Sequence, residues 1–343
     1  MGSLVFRNYP HQNYKVIFNQ STGFFARIED KSFNEPFWAE KGPELLDISI
    51  TNWCDNGCSF CYKRSDKFGR NMTLDDYKLI MEYASKSNVF QVALGGGNPN
   101  QHPDFIDIIR MTKENYNIVP SYTTNGRGLT DDILIATKKY CGAVAISAYF
   151  PYDELMNSLN ILYEYEIKTN IHFLLSNNTI RTAIHWLKED RSVLDKCNAV
   201  IFLNYKPVGR IKNNKLLLNN SSLIKEFFSL ADLKYPFKIG FDSCMVSGVV
   251  KNMKNVNSLY IEPCEAARFS AYISEDLQMY PCSFMNEYYK GEDLRKNSLT
   301  KIWTESKSFN ETRKRLENNG CQSCVSQKLC LGGCPFLNII NLC

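Results

Sequence analysis

The chain has 343 residues, and 44% of them are hydrophobic, which is enough for a continuous core in one large domain with a smaller one beside it. The formal net charge of +4 is small for this length, so the composition favours neither a nucleic-acid-binding protein nor one held on an acidic membrane. The sequence has no apolar run of about 18 residues and no basic-then-apolar start, which predicts a cytoplasmic protein without a membrane span.

The chain begins with a short extension, in which segments around Tyr14–Phe18 and Gly23–Ile28 predict a hairpin. From Leu45 onward, strand-like and helix-like segments alternate through six βα-type repeats, which is the pattern of a parallel α/β fold. The predicted strands are Leu45–Thr51, Phe90–Leu94, Val119–Thr123, Ala143–Ser147, Asn170–Leu175 and Ala199–Leu203. The predicted helices are Thr73–Ser87, Pro103–Asn115, Thr130–Tyr140, Asp153–Tyr165 and Arg181–Glu189.

Two polar stretches follow the repeats. Lys212–Ser222 and Asn252–Ser258 both read as loops, with a strand-like segment, Phe237–Asp242, between them. We therefore predict a domain boundary near residue 240, with an N-terminal extension over 1–44, a barrel-like domain over 45–240 and a cysteine-rich domain over 241–343.

Cysteine usage is the strongest signal in the composition. The chain has 13 cysteines, an odd number, and no export signal, so its thiols are expected to stay reduced and to bind metal rather than form disulfides. Ten of them form two groups, whereas Cys141, Cys197 and Cys244 stand alone. Cys141 and Cys197 flank predicted strands and are expected to be core thiols.

The first group, Cys54, Cys58 and Cys61, forms a C-x3-C-x2-C motif directly after the strand Leu45–Thr51, with Phe60 before its last cysteine. A four-iron cluster usually takes four protein thiolates, so three thiolates leave one iron open to an external ligand. A structural zinc ion would need a fourth ligand, and the nearby sequence offers no histidine for it. The motif favours an open iron–sulfur cluster.

This motif resembles the signature of the radical S-adenosylmethionine (SAM) superfamily, which has an aromatic residue at the position of Phe60. The resemblance covers roughly residues 45–210 and implies a partial (β/α)6 TIM-like barrel that holds one [4Fe-4S] cluster and S-adenosyl-L-methionine. In that family S-adenosylmethionine binds the open iron and is cleaved reductively to a 5′-deoxyadenosyl radical. The protein holds the substrate near the radical and excludes solvent.

Further segments match family positions that bind S-adenosylmethionine, and they follow predicted strands, where parallel barrels collect their sites. Glycines let the backbone approach the ligand's ammonium group, small hydroxyls suit its ribose, and an arginine suits its carboxylate. Ordinary turns, caps and a surface arginine are the alternatives. The family more often has glutamate where Asn98 stands, and asparagine adds no charge. The residues expected to bind are Phe60, Gly95, Gly96, Gly97, Asn98, Thr124, Asn125, Ser147 and Arg210, with Thr123 and Gly126 beside them.

The second group has a C-x2-C-x5-C-x3-C core. Its members are Cys264, Cys282, Cys321, Cys324, Cys330, Cys334 and Cys343. Four closely spaced cysteines would also satisfy a zinc ion, but the seven together resemble the SPASM domain. The segment Ala271–Pro281 resembles the hairpin of such domains, although Gln278 stands near a usual glycine, and Ile302-Trp303 with Phe309 and Arg313 resembles their helical link.

The SPASM resemblance implies two auxiliary [4Fe-4S] clusters with a crossed ligand pattern. Cys321, Cys324, Cys330 and Cys343 would hold one cluster. Cys264, Cys282 and Cys334 would hold the other, and Cys244 is either its fourth ligand or a buried core thiol.

The same resemblance implies an oxidoreductase that matures ribosomally made peptides. The radical would take hydrogen from a bound peptide and a carbon–carbon or thioether crosslink would form, or a residue would be epimerised with a hydrogen atom returned by a thiol such as Cys244. The implied partners are a peptide or protein substrate, an electron donor of the flavodoxin or ferredoxin type, and a separate leader-binding protein, with no nucleic acid and no membrane.

Several alternatives stay open from the sequence. They are an anaerobic sulfatase-maturating, formylglycine-forming enzyme, a small-molecule dehydrogenase, a non-catalytic iron–sulfur electron carrier and a zinc-binding module. Asp242 and Asp276 are candidates for a general base, without a catalytic assignment. The four histidines, His11, His102, His172 and His185, are expected to be structural, and no aromatic residue is assigned to substrate.

Overall fold

A computed structural model of the chain describes residues 4–29, 35–321 and 323–343; residues 1–3 and 30–34 of the predicted N-terminal extension lie outside this range. The strands are β1 (Leu4–Tyr9), β2 (Tyr14–Asn19), β3 (Phe25–Glu29), β4 (Leu45–Thr51), β5 (Gln91–Gly96), β6 (Val119–Thr124), β7 (Val144–Ala148), β8 (Thr169–Leu175), β9 (Ala199–Asn204), β10 (Lys238–Phe241), β11 (Ser270–Ile273), β12 (Gln278–Tyr280) and β13 (Glu292–Asp293). The helices are α1 (Leu74–Lys86), α2 (Phe105–Glu114), α3 (Asp131–Tyr140), α4 (Asp153–Glu164), α5 (Ile180–Lys188), α6 (Ser221–Ala231), α7 (Val246–Asn252), α8 (Leu299–Glu305), α9 (Lys307–Glu317) and α10 (Gln327–Cys330).

The main sheet confirms the predicted α/β partial barrel. Its strand order is β10-β9-β8-β7-β6-β5-β4-β11-β12-β13, and the strands from β4 to β10 run parallel in chain order. The six predicted strands are all present. β11, from the cysteine-rich region, also pairs in parallel with β4, so the C-terminal region continues the sheet of the barrel.

The alternation along β4 shows how the sheet divides its two faces. Leu46, Ile48 and Ile50 are buried in the main hydrophobic core, which the helices α1–α6 share. Asp47 and Ser49 point the other way and line a cavity inside the partial barrel. Because side chains alternate between the two faces of a strand, the seven residues of β4 give the sheet an apolar face toward the helices and a polar face toward the lumen of the barrel.

The N-terminal extension has one strand more than predicted. β1 pairs antiparallel with β2, and β2 pairs antiparallel with β3, in a separate three-stranded sheet. Tyr14, Val16 and Phe18 on β2 are buried and pack with Phe90 and Val119 of the barrel. The predicted hairpin is therefore correct but incomplete, because the sequence of β1, LVFRNY, does not alternate apolar and polar residues.

The prediction of a loop over Lys212–Ser222 is wrong at its C-terminal end. The side-chain carbonyl of Asn220 accepts from the backbone NH of Leu223 and caps α6, which begins at Ser221. Asn and Ser favour both loops and helix N-termini, so a polar run cannot be separated from a helix start by composition.

The cysteine-rich region contains the predicted hairpin and helical link. β11 and β12 form the hairpin, and the residue with positive φ in its turn is Leu277, at 63°, next to Gln278. In the link, the Arg313 guanidinium lies 3.6 Å over the Trp38 ring and donates to the carbonyl oxygens of Ala267 and Trp303 at 2.7 and 2.8 Å. Within the described ranges, no helix combines the length and apolar character needed to cross a membrane.

Trp303 joins this link to the first part of the chain, and its replacement tests the packing. Its ring is fully buried against Trp38 and Phe309, and its Nε1 donates to the Ala39 carbonyl at 2.6 Å. We expect Trp303→Ala to lower the free energy of unfolding by about 3–5 kcal/mol in urea denaturation, because a large ring and its hydrogen bond are lost. Leu259→Ala, at a side chain that is 83% exposed, is the control and should change it by less than about 0.5 kcal/mol. A loss below about 1 kcal/mol for Trp303→Ala would contradict this packing role.

Candidate active site

A cavity of about 390 Å³ occupies the interior of the partial barrel. Its walls come from the lumen-facing residues of the parallel strands, from the loop after β4 and from the segment after β12. Cys54, Cys58 and Cys61 line it together. The carboxyl ends of parallel strands are where barrel enzymes place their reactive groups, and the first cysteine group lies there.

The loop that carries the three cysteines is fixed by backbone hydrogen bonds. Cys54 NH donates to the Asp66 carbonyl at 2.9 Å, and Arg210 NH donates to the Cys61 carbonyl at 3.0 Å. The side-chain NH₂ of Asn56 lies 3.3 Å from the Cys58 sulfur. Burial, and then the negative charges of Cys61 and Cys54, raise the pKa of Cys58 to about 11. A cationic cluster shared by the three sulfurs would favour the thiolate form of Cys58 against this burial and these charges.

The three glycines after β5 serve different purposes. A Cβ on Gly96 would lie 2.0 Å from the Thr51 carbonyl oxygen, and one on Gly97 would lie 1.8 Å from that of Trp53, so both allow the cysteine loop to cross closely. A Cβ on Gly95 would meet no atom of the described residues within 4 Å, because it would point into the cavity. Gly95 therefore has the open position that a bound ligand could approach.

Asn98 forms a buried polar network with Thr124 and Asn125, which both line the cavity. The Asn98 side-chain oxygen accepts from the Thr124 hydroxyl at 2.9 Å and from Asn125 NH at 3.0 Å, and its NH₂ donates to Gln101 at 2.7 Å and to the Arg127 carbonyl. The side-chain NH₂ of Asn125 donates to Asp55, inside the cysteine motif, at 3.0 Å. This network ties the loops after β5 and β6 to the cysteine loop.

The remaining residues expected to bind S-adenosylmethionine lie at different distances from the cavity. Phe60 and Ser147 line it, and the Phe60 ring lies 5.4 Å from that of Tyr149, a lining residue that the sequence did not single out. Arg210 is exposed, and its guanidinium donates to the Ser65 carbonyl. Its side chain is thus used to hold the loop after Cys61.

His172 was expected to be structural, yet it lines the cavity. Its Nδ1 lies 3.5 Å from the Thr123 hydroxyl, and burial lowers its pKa to about 4, so the imidazole is neutral at neutral pH. Its alternation with the buried Ile171 and Phe173 on β8 was the available signal, because residues at this period face the lumen.

The two acidic residues that the sequence offered as a general base, Asp242 and Asp276, differ in position and in ion-pair partner. Asp242 lines the cavity and forms an ion pair with Lys206 Nζ at 2.6 Å. Lys206 Nζ also lies 4.6 Å from the centroid of the Phe284 ring. Asp276, the other candidate base, is on the β11–β12 hairpin and pairs with Arg70 at 3.2 Å, away from the cavity lining. Asp47, which the sequence did not single out, lines the cavity from β4.

The second cysteine group divides into two sets. Cys244 and Cys334 share a hydrogen bond, and the charges of Cys244, Cys264, Cys282 and Cys334 act on one another. In the other set, the charges of Cys343 and Cys321 act on Cys330, and Cys324 follows in the turn that Cys321 begins. No group of three or more His, Cys, Asp and Glu in the described part of the chain is placed to hold a single metal ion. Thiol donors alone, in sets of four, fit iron–sulfur clusters.

Two family models match the chain. The model of the Radical SAM superfamily matches residues 48–182, and that of the SPASM iron–sulfur cluster-binding domain matches residues 264–325. The matched ranges contain the first cysteine motif and four cysteines of the second group.

The chain is also similar to individual proteins. The probable GTP 3′,8-cyclase of Pyrococcus horikoshii is 37% identical over 82 residues, which are 24% of this chain and 26% of that protein, so the chain spans about a quarter of it. The mycofactocin maturase MftC of Mycolicibacterium smegmatis is 21% identical over 85% of this chain and 78% of its own length. Among solved structures, Streptococcus suis SuiB superposes on this chain with a TM-score of 0.74 at 16% sequence identity. The superposition covers 97% of this chain and 95% of SuiB, so the two proteins share a fold.

The two matched models agree with the family resemblance expected from the two groups of cysteines. The cofactors are S-adenosylmethionine and iron–sulfur clusters, which the two matched models name. The protein is an enzyme with an α/β partial barrel. The chain therefore contains a Radical SAM domain, matched over residues 48–182, and a SPASM iron–sulfur cluster-binding domain, matched over residues 264–325.

Proposed function

We propose that this enzyme matures a ribosomally made peptide by removing hydrogen from it and joining two of its residues through a carbon–carbon or thioether bond. One observation carries the proposal: the cavity has the first cysteine group in one wall and the segment that follows Cys282 in another. A substrate bound there would be near both sets of redox groups.

The two walls are in direct contact. The ring of Tyr62, which follows Cys61, packs at a tilt of 45° against the ring of Phe284, with the centroids 4.7 Å apart. Ser283 and Phe284 line the cavity directly after Cys282. S-adenosylmethionine and its reduced cluster supply the hydrogen-abstracting radical when bound. The chain's own residues bind the peptide, orient one of its carbons and exclude water. An oxidation also needs an electron acceptor close to the substrate, and the second wall is where the chain would provide one.

The cysteines favour bond formation over epimerisation. Epimerisation requires a thiol that returns a hydrogen atom, whereas the cysteines that line the cavity are Cys54, Cys58 and Cys61, the proposed cluster ligands. Cys244 shares a hydrogen bond with Cys334 in the second group. The peptide substrate is supported by MftC, which is named a maturase, and by SuiB, whose structure is also known with its precursor peptide SuiA.

We propose divided roles for the residues expected at the S-adenosylmethionine site. Gly95, Phe60 and Ser147 line the cavity and would contact the ligand. Gly96, Gly97, Thr124 and Asn125 also line the cavity. Their close approaches and hydrogen bonds are made within the protein, so together with Asn98 and Arg210 they would mainly position the contacting backbone. The proposed partners are a flavodoxin- or ferredoxin-type electron donor and a separate leader-binding protein, in the cytoplasm, where thiols stay reduced.

Cys244 is proposed to complete the ligand set of Cys264, Cys282 and Cys334. We expect about twelve iron atoms in the anaerobically purified wild type, for three four-iron clusters, and a fall toward about eight in Cys244→Ala with loss of one cluster's EPR signal. Cys141→Ala, at a thiol in the main core, is the matched control and should keep the wild-type iron content and spectrum. An unchanged spectrum in Cys244→Ala would show that Cys244 is a core thiol.

The proposed reaction is tested by the mass of a short peptide encoded beside the gene, after anaerobic co-expression in deuterated water. We expect a loss of about two hydrogen masses per event with the wild type and none with Cys58→Ala, because only oxidation removes hydrogen.

Other results of the same experiment distinguish the alternatives. Deuterium uptake at carbon without mass loss from oxidation would indicate epimerisation. Labelling of the product by a hydrazide probe would reveal an aldehyde and hence formylglycine chemistry. A peptide that the wild type leaves unchanged would contradict peptide maturation.

A further inference from the structure

Asp47 places a carboxylate on the cavity wall between the two cysteine groups. It lies on β4, in register with Ala93 on β5 and with Tyr272 on β11, and it faces the lumen while its neighbours Leu46 and Ile48 are buried in the core. Its charge acts on Tyr62, which follows Cys61, and on Cys282. The carboxylate is therefore close to the region where a substrate would meet both walls.

The carboxylate of Asp47 has no partner within the described ranges, neither a hydrogen bond nor an ion pair. The other acids nearby have partners. Asp242 forms an ion pair with Lys206 at 2.6 Å, and Glu275 accepts hydrogen bonds from Lys63 and from the Ser49 hydroxyl, both at 3.1 Å. Asp47 is half-buried on the cavity wall, and an unpaired charge that is partly removed from water costs stability, so its carboxylate contributes nothing to the fold that an asparagine amide would not. Ionisable groups kept in such positions are typical of functional sites.

The groups around Asp47 determine its protonation. Tyr62 and Tyr272 face it, and Lys63 Nζ bonds the Tyr272 hydroxyl rather than the carboxylate. Burial, and then the negative charge of Glu265, raise the pKa of Asp47 to about 7. A carboxylate with this pKa can accept a proton near neutral pH and release it again.

Other cavity groups suit this role less well. The pKa of His172, on the wall of β8, is lowered to about 4, which makes the imidazole a weak base. Burial, together with neighbouring charges, raises the pKa of Tyr62 and of Tyr272, so both phenols stay protonated. Asp242 already forms an ion pair with Lys206.

We propose that Asp47 accepts the proton that the peptide releases when its new bond closes. This inference rests on the proposed function. Joining two residues breaks a C–H bond in one and a C–H or S–H bond in the other. One hydrogen leaves as an atom, through the chemistry that S-adenosylmethionine supplies. The other leaves as a proton, which goes to Asp47, and an electron, which goes to an iron–sulfur cluster of the C-terminal domain.

The test compares Asp47→Asn and Asp47→Glu with the wild-type holoenzyme and with Asp132→Asn, a control at an exposed aspartate of α3. We expect Asp47→Asn to bind the peptide with wild-type affinity and to form 5′-deoxyadenosine, but to form the crosslink at least about 100-fold more slowly. Asp47→Glu should recover part of the rate because it restores a carboxylate. Asp132→Asn should behave as the wild type.

Two pH-dependent readouts separate proton transfer from a structural role. Because the acceptor must be ionised, the wild-type single-turnover rate of crosslinking should rise with pH through about 7, and Asp47→Asn should lack this limb. In the infrared spectrum of the holoenzyme, a protonated-carboxyl band should disappear over the same pH range, and Asp47→Asn should lack it at every pH.

The possible failures are distinguishable. Crosslinking by Asp47→Asn at the wild-type rate and with the wild-type pH profile would overturn the assignment alone. Loss of 5′-deoxyadenosine formation in both Asp47→Asn and Asp47→Glu would show a structural role and would also overturn it. A wild type that forms 5′-deoxyadenosine but leaves the peptide unmodified would overturn the proposed function and this inference together.

Discussion

Strand β4 is hydrogen-bonded in parallel to β5 on one side and to β11 on the other, and the positions of both metal-binding regions depend on this double pairing. The loop of Cys54, Cys58 and Cys61 follows β4 directly. The hairpin that begins with β11 leads to Cys282. Because the register places Asp47 opposite Tyr272, the C-terminal region cannot shift along the barrel without breaking the sheet.

The consequence is one cavity with two chemically different walls. On the side of β5 and β6, the loop glycines and the Asn98 network hold the cysteine loop closely and leave Gly95 facing open space. On the other side, the Lys206–Asp242 pair and Phe284 line the cavity, and the charges of Cys244 and Cys282 act on Lys206. A substrate in this cavity could lose a hydrogen atom at one wall and an electron at the other.

Sequence patterns predicted the parts of the fold that depend on local periodicity and fixed spacing. The six barrel strands and the first cysteine motif were found because alternation and C-x3-C-x2-C are readable without distant contacts. Residues whose roles depend on other segments were harder. Gly96 and Gly97 were expected to bind the ligand, and both line the cavity, but the sequence did not show that they also admit the backbone of residues 51–53, which comes from an earlier loop. Alternation along β8 and β4 indicates that His172 and Asp47 face away from the core, but the partial barrel is needed to show that this face lines a cavity.

We propose above all that a peptide enters the cavity beside the first cysteine group. Transfer of deuterium from the peptide to 5′-deoxyadenosine tests this most directly. The reduced wild-type enzyme would be given S-adenosylmethionine and its peptide with deuterium at every carbon-bound position, and the 5′-deoxyadenosine would be analysed by mass spectrometry. We expect 5′-deoxyadenosine that carries deuterium from the peptide. 5′-Deoxyadenosine formed at an undiminished rate with hydrogen alone would contradict it, because the abstracted atom would then come from elsewhere.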